Sequence, residues 1–146
     1  MKERFGLIIV LLTLIFSADV KGQSKLEKHI VGRWKPSGIY DVGAVIPDAS
    51  KQQIETMQKK LLDSKFQFKD DHNFSFESSF EEIAIKNGHW KILADNGKIV
   101  IQEWKDKDKE KPVLMGITVL LKNGKTIFML EETFFAFEMV RITGGN

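Results

Sequence analysis

The chain has 146 residues and no cysteine, and its 22 lysine and arginine residues nearly balance 20 aspartate and glutamate residues. Without cysteine, neither disulfides nor a lipid-modified cysteine are available, so an exported domain must be stabilised by its own hydrophobic core. The near-neutral charge argues against a nucleic-acid-binding protein, which normally carries a basic stripe or patch.

The first 22 residues have the pattern of a removable export signal. Two basic residues precede an apolar run over 5–16, and small or modest side chains follow at 20–22. The run is too short to span a hydrocarbon core of about 30 Å comfortably. We therefore expect a signal peptide over 1–22 and an exported domain over 23–146, periplasmic or extracellular, with no membrane span after cleavage. An uncleaved N-terminal anchor is the alternative.

The exported region opens with a predicted strand and helix. The strand covers 30–36, where the sequence reads IVGRWKP. The segment 50–53 has the form of a capping box, and apolar residues then recur at helical spacing. This pattern predicts an amphipathic helix over 50–63, between the first and second strands.

Beyond residue 64, turn residues divide the chain into short segments rich in Phe, Ile, Val and Trp. These segments are 65–69, 73–79, 82–86, 89–94, 98–104, 113–122 and 125–131, with a further one at 134–142. The pattern is typical of strands joined in sequence, and we count eight of them, or nine if 82–86 stays separate. One helix cannot cover such a meander, so the sheet must close into a barrel or fold into a sandwich.

Two hairpins predict apolar inner faces, because opposed residues of an antiparallel pair face the same side. A two-residue turn at Asn123-Gly124 places Val119 opposite Phe128 and Ile117 opposite Leu130. A three-residue loop at 70–72 places Phe66 opposite Phe76 and Phe68 opposite Phe74. Both faces are therefore expected to line the interior.

A third hairpin is predicted around Asn96-Gly97. A two-residue turn there pairs Ile92 with Ile101 and Trp90 with Glu103. In that register Glu103 points inward. Lys91 and Gln102 share the opposite face, which is expected to be wet.

The two ends of the chain carry a resemblance to a known family. Gly32 and Trp34 match the Gly-x-Trp of the first strand in the lipocalin-like families of the calycin group, particularly small exported bacterial lipocalin-like proteins. Arg141 matches the basic residue that packs over that Trp from the last strand, at the closed end. The resemblance implies an eight-stranded antiparallel up-and-down barrel in which these three residues are structural.

Two features depart from secreted animal lipocalins. The later motifs and the disulfides of those proteins have no match here. The helix at 50–63 is instead similar in position to the helices that cap fatty-acid-binding proteins. It is expected to be either a mobile lid or a plug.

The resemblance implies a non-enzymatic protein that holds a small hydrophobic or amphipathic ligand inside the barrel. Candidate ligand contacts are interior side chains, an inward carboxylate that fixes the ligand's orientation, and a tyrosine hydroxyl at the mouth. They are Phe66, Phe68, Phe74, Phe76, Trp90, Ile92, Ile101, Glu103, Ile117, Phe128 and Tyr40.

The alternative is a solid barrel, because so many aromatic side chains compete for the same interior. Such a protein would be a protein-interaction or structural module of the cell envelope. Its partner site would use outward apolar residues, namely Leu93, Val100, Trp104, Leu120 and Ile127.

Catalysis has little support in the residue pattern. His29, His72 and His89 lack the spacing of a zinc site, and no serine lies in a nucleophile elbow. No Gly-rich loop precedes a helix, as phosphate binding would require. We expect no enzyme activity, metal or cofactor. The charge run over 105–111 alternates in sign and is predicted to be a solvated loop.

Overall fold

A computed structural model describes residues 25–79, 84–93 and 97–143, so the predicted signal peptide lies outside the described residues. Residues 25–30 are helical and are called α1 here. The other elements are β1 (Gly32–Ile39), α2 (Asp48–Leu61), β2 (Lys65–Phe68), β3 (Asn73–Glu77), β4 (Ile85–Ile92), β5 (Ile99–Glu103), β6 (Met115–Lys122), β7 (Lys125–Leu130) and β8 (Ala136–Arg141). Within these ranges no helix is long and apolar enough to cross a membrane.

The eight strands form one closed antiparallel barrel in their order along the chain. Each strand pairs with the next, and β8 returns to β1, where Trp34 faces Arg141. The predicted up-and-down barrel, with a helix between β1 and β2, is therefore confirmed. Residues 85–86 and 89–92 of the predicted segments 82–86 and 89–94 belong to a single strand, β4, and the rest of these segments lies partly outside the described residues.

The connections define two ends of the barrel. Those after β1, β3, β5 and β7 lie at one end, called the open end here, which also carries α2. Those after β2, β4 and β6 lie at the closed end. There α1 packs through two polar contacts: His29 Nε2 lies 3.0 Å from Thr126 Oγ1, and Glu27 Oε1 lies 3.2 Å from His72 Nε2.

Two hairpin registers are as predicted. The facing pairs are Phe66↔Phe76, Phe68↔Phe74, Val119↔Phe128 and Ile117↔Leu130. Asn123 and Gly124 have φ values of 53° and 73°. A two-residue type I′ turn requires positive φ at both positions, so the turn sequence alone specified this register.

The predicted register of the β4–β5 hairpin is wrong by two residues. The observed pairs are Trp90↔Ile101 and Ile92↔Ile99, in place of Trp90–Glu103 and Ile92–Ile101. The Leu93 N–H donates to the Lys98 carbonyl at 2.8 Å, so four residues form the connection, not two. Because the shift is even, the isoleucine and tryptophan side chains of the hairpin keep their predicted inward face, whereas Glu103, the last residue of β5, is exposed.

Helix α2 begins two residues before its predicted start. Its N-cap is Pro47, and no side chain caps the first turn, so the predicted capping box at 50–53 is wrong. The Ser50 N–H donates to the Pro47 carbonyl at 2.9 Å, which places Ser50 inside the first turn. Leu61 is the buried residue of the helix, so α2 is anchored at its C-terminal end.

The outer face of β5 is covered, whereas the sequence predicts a wet face. The Gln102 side chain is fully buried, and its Nε2 donates to the carbonyls of Lys109 and Pro112 at 2.9 and 3.2 Å. The connection over 104–114 therefore lies across β5. Asp106, inside the predicted solvated run, is buried by the same arrangement.

Two of the five outward apolar residues expected in a partner site are buried. Val100 lies on the covered face of β5. Ile127 is 1 % exposed, and it pairs with Leu120 and Glu138 on the neighbouring strands. Neither can contact a partner protein without a rearrangement.

Candidate functional site

Aromatic side chains in mutual contact line the barrel interior. Six aromatic residues among the predicted ligand contacts are at most 1 % exposed: Phe66, Phe68, Phe74, Phe76, Trp90 and Phe128. The Phe128 ring centroid lies 5.6 Å from that of Phe66 and 6.0 Å from that of Phe68, both edge-to-face. This is a favoured geometry of packed aromatic pairs. The rings therefore pack on one another as a single cluster in the barrel core.

The aliphatic residues predicted to line the interior belong to the same core. Ile101 and Ile117 are fully buried. Ile92 is partly buried and packs against the cluster. These side chains belong to the same hydrophobic cluster as the aromatic rings.

The two polar residues predicted to orient a ligand lie elsewhere. Glu103 is the last residue of β5, its side chain is exposed, and Oε2 lies 3.0 Å from Lys105 Nζ. The prediction that Glu103 points inward is wrong, because the strand ends there at the open end. The Tyr40 hydroxyl accepts a hydrogen bond from Lys122 Nζ at 3.2 Å. It is therefore engaged by β6 and does not point into the interior.

The first and last strands of the barrel meet at the closed end through Trp34 and Arg141. Arg141 Cζ lies 4.5 Å from the centroid of the Trp34 ring, a cation–π contact. Arg141 Nη1 donates to the Val31 carbonyl at 2.8 Å, and Nη2 donates to the His29 carbonyl. Trp34 Nε1 donates to the Ile30 carbonyl at 2.8 Å. This arrangement joins β1, β8 and the end of α1, and its role is structural.

Gly32 makes room for that guanidinium. Its φ is +139°, and a Cβ built on it would lie 2.8 Å from Arg141 Nη1. Any side chain at this position would adopt a strained backbone and collide with the guanidinium. The positive φ and the close approach of Arg141 thus explain why glycine occupies this position of the Gly-x-Trp pattern.

A cleft of about 350 Å³ lies at the open end, between the end of β1, α2 and the β7–β8 connection. We call it the rim cleft. Its lining residues are Ile39, Tyr40, Asp41, Val42, Ala44, Ile46, Lys51, Glu55, Gln58 and Phe134. Ile39, Val42 and Phe134 are 43, 38 and 45 % exposed. The rim cleft therefore presents an apolar surface bordered by charged and amide groups of α2.

Of the predicted site residues, Tyr40 alone lines the rim cleft. The lining residues within 39–46 were missed because this segment has neither helical nor strand periodicity. One signal was available: Ile39, Val42, Val45 and Ile46 place apolar side chains in a connection that no period explains. Apolar residues that no predicted strand or helix directs into the core are candidates for a binding surface.

A second cleft, of about 360 Å³, lies on the outer wall beside Gly116. Lys98 Nζ and Glu131 Oε2 are 3.5 Å apart at its edge. The pKa of Glu131 is below its ordinary value, mainly because Thr118 donates a hydrogen bond to the carboxylate, and Lys98 adds to the effect. This carboxylate is ionised and paired, so it is not suited to acid–base work.

The three histidines do not form one centre. His72 stacks on Trp90 at 4.8 Å and on His89 at 5.8 Å, whereas His29 contacts Thr126 at the closed end. In the part of the chain that the structure describes, no three His, Asp or Glu side chains are arranged to hold a metal ion.

Burial lowers the pKa of both His29 and His89 below the ordinary value of 6.5. Arg141 lowers the pKa of His29 further. At His89 the nearby charges of His72, Lys107 and Lys91 lower the pKa, and Asp108 opposes them. Both rings therefore favour the neutral form in the folded protein.

These shifts predict a loss of stability on mild acidification. Below pH 6.5 the unfolded chain takes up protons that folded His29 and His89 resist, so the free energy of unfolding falls as pH drops. Urea unfolding at pH 7.5 and 5.5 measures this loss. His89→Gln should lose less stability between the two pH values than the wild type. An equal loss in both proteins would contradict the role of His89.

Comparison of the chain with protein-family models, with curated proteins and with solved structures found no match in any of the three. The function is therefore inferred from the residues and their geometry.

Proposed function

We propose that this protein is a non-enzymatic binding protein that holds a small amphipathic molecule in the rim cleft. The volume of about 350 Å³ falls within the range of small-molecule sites, about 300–1,000 Å³. Such sites are mostly apolar with a few polar groups that orient the ligand. The rim cleft has this composition.

The observation that carries the proposal is the exposure of apolar side chains around a concave surface. Ile39, Val42 and Phe134 remain partly in water although they border one cleft. A ligand that covered them would remove apolar surface from water, which is favourable at roughly 25 cal/mol per Å². Lys51 and Glu55 on α2 supply charges of both signs for its polar end.

The packed aromatic core favours the rim cleft, and not the barrel centre, as the binding site. An enclosed ligand would have to separate Phe128 from Phe66 and Phe68, whose rings are already in contact. A ligand in the rim cleft leaves these contacts intact. In this proposal the resemblance to lipocalin-like proteins applies to the barrel and to the structural contact among Gly32, Trp34 and Arg141. The ligand lies at the open end of the barrel.

Export is part of the same proposal. The pattern over residues 1–22 supports secretion to the periplasm or exterior, where a domain without cysteine depends on its core alone. A protein that carries or buffers a poorly soluble molecule fits such a compartment.

A fluorescent amphipathic anion, 1-anilinonaphthalene-8-sulfonate, tests the proposal. Titration of the purified protein should give saturable binding and amide NMR shifts at 39–46, 51–58 and Phe134. Phe134→Ser should weaken binding about tenfold, the equivalent of roughly 1.4 kcal/mol of lost apolar contact.

The matched control is Leu93→Ser, since Leu93 is also partly exposed but belongs to the closed end. It should leave probe affinity unchanged. Shifts confined to interior residues such as Phe66, with wild-type affinity in Phe134→Ser, would place the ligand inside the barrel and overturn the rim assignment.

A protein-interaction module is the second candidate, because a filled barrel leaves the outer surface for function. Three of the outward apolar residues expected in a partner site are exposed, namely Leu93, Trp104 and Leu120. Light scattering of the purified protein at high concentration tests this reading. A strict monomer would count against self-association as that function.

A further inference from the structure

Four buried side-chain polar atoms within residues 25–79, 84–93 and 97–143 have no hydrogen-bond partner. They are Asn73 Oδ1, His89 Nδ1, Gln102 Oε1 and Asp106 Oδ2. A buried polar atom without a partner costs free energy, so native proteins contain few of them. All four belong to neighbouring segments of the barrel wall, which points to one common cause.

Three of these residues lie side by side on the outer face of the barrel. Asn73 of β3 is paired with His89 of β4, which in turn is paired with Gln102 of β5. Directly opposed residues of an antiparallel pair share a face, and their Cβ atoms are about 4.5–5.5 Å apart. We call these three residues the outer row. The imidazole of His89 is its middle member, between two side-chain amides.

The connection over 104–114 brings the fourth atom to the outer row. The ring centroid of Trp104 lies 4.7 Å from that of His89. Lys109 links Gln102 to Asp106: its carbonyl accepts from Gln102 Nε2 at 2.9 Å, and its Nζ donates to Asp106 Oδ1 at 3.2 Å. Asp106 is 4 % exposed. The connection therefore places a buried carboxylate beside the outer row.

The four atoms share one chemical property, the ability to donate a lone pair. Three are oxygens, and the fourth is an imidazole nitrogen. Gln102 Nε2 already donates to the carbonyls of Lys109 and Pro112, which fixes the orientation of the amide and leaves Oε1 as an acceptor. Solvent does not reach any of the four atoms. A metal ion lies about 2.0–2.2 Å from nitrogen and oxygen ligands and so needs less space than a hydrogen-bonded water at about 2.8 Å.

The charges around these atoms are mixed in sign. Lys91 Nζ donates to the carbonyls of Lys107 and Lys109 at 2.7 and 3.3 Å, and Lys109 Nζ is also paired with Asp106. These three ammonium groups oppose a cation. Asp106 and Asp108 attract one. The affinity for a cation is therefore decided mainly by the ligand atoms themselves.

We propose that Asn73, His89, Gln102 and Asp106 bind one divalent transition-metal ion of the Zn²⁺ type, beneath the connection over 104–114. An imidazole, a carboxylate and two amide oxygens form a mixed nitrogen and oxygen donor set, in which the imidazole favours Zn²⁺ over Mg²⁺ or Ca²⁺. The site has only two His or Asp ligands because the amides supply the others. It departs from the sequence-based expectation that no metal is bound. The ion would join β3, β4 and β5 to the connection that covers them.

Calorimetric titration of the purified full-length protein with Zn²⁺ alone, without a histidine tag, tests the site. We expect one ion per chain. His89→Gln should weaken binding by about tenfold or more, because it removes a ligand atom. Asn73→Leu and Asp106→Asn should also weaken binding, although neither change removes an imidazole. Zn²⁺ should raise the thermal unfolding temperature of the wild type more than that of these variants, because it binds the folded state.

His29→Gln is the matched control, because His29 contacts Thr126 at the closed end. It should leave the affinity for Zn²⁺ unchanged. His72→Gln should do the same, and it tests whether Zn²⁺ is instead chelated by two stacked histidines, since the ring centroids of His72 and His89 are 5.8 Å apart. Circular dichroism verifies that each variant is folded. Absence of saturable binding would overturn the proposal, and so would binding that is lost in His72→Gln but unchanged in Asn73→Leu and Asp106→Asn.

Discussion

Replacing Phe128 by alanine is expected to lower the free energy of unfolding by about 3–5 kcal/mol, the usual cost of an aromatic-to-alanine change in a core. Phe128 is fully buried. Its ring lies within 6.0 Å of the rings of Trp34, Phe66 and Phe68. These neighbours belong to β1 and β2 across the barrel, so the wall cannot collapse into the space that the substitution leaves. The cavity cost is therefore added to the lost burial.

Phe134→Ala is the matched control, because it removes the same atoms from a side chain that is 45 % exposed at the rim. Its effect on stability should be below about 1 kcal/mol. Urea unfolding followed by tryptophan fluorescence and circular dichroism measures both variants. If Phe128→Ala cost as little as Phe134→Ala, the interior rings would not be packed on one another, and a ligand inside the barrel would again be the better proposal.

The barrel could be predicted from local sequence because its hairpins carry their own registers. Asn123-Gly124 specifies a turn with two positive φ values, and that turn sets every pair along β6 and β7. The loop at 70–72 does the same for β2 and β3. Alternation then assigns each side chain to a face, and barrel closure follows from the order of the strands.

Predictions failed where burial, strand register or a helix start depends on a connection that the local sequence pattern does not describe. Gln102 alternates like an outward residue, yet it is buried because the connection over 104–114 returns across β5. The β4–β5 register depends on the number of residues in the connection, and the Asn96-Gly97 dipeptide alone does not define that number. The capping box at 50–53 was a plausible local motif, but the chain enters α2 through Pro47.

The candidate site could be predicted only in part for a related reason. Alternation along the predicted strands indicates that many aromatic residues face inward, but their mutual contacts are a property of three-dimensional packing. Without those contacts, a hollow and a filled barrel are equally consistent with the sequence. The rim cleft depends on how 39–46 folds between β1 and α2, which no local period describes.

Gly32→Ala is expected to destabilise the protein by about 2–4 kcal/mol, from about 1–3 kcal/mol of backbone strain and a further loss at the Arg141 contact. The φ of +139° is unfavourable for alanine, and the new Cβ would lie 2.8 Å from Arg141 Nη1. Gly38→Ala is the control on the same strand. No atom lies within 4 Å of a Cβ built there, so the change should cost less than about 0.5 kcal/mol.

A double-mutant cycle separates the two causes of the Gly32 effect. In an Arg141→Met background the guanidinium no longer opposes the Cβ, so the cost of Gly32→Ala should fall by about 0.5–2 kcal/mol while the strain from φ persists. Chemical unfolding of all four proteins gives the coupling energy. A coupling of zero would mean that the guanidinium moves aside without loss. In that case the cation–π contact between Trp34 and Arg141 would contribute little to holding β1 against β8. Glycine would then be required at position 32 by its backbone conformation alone.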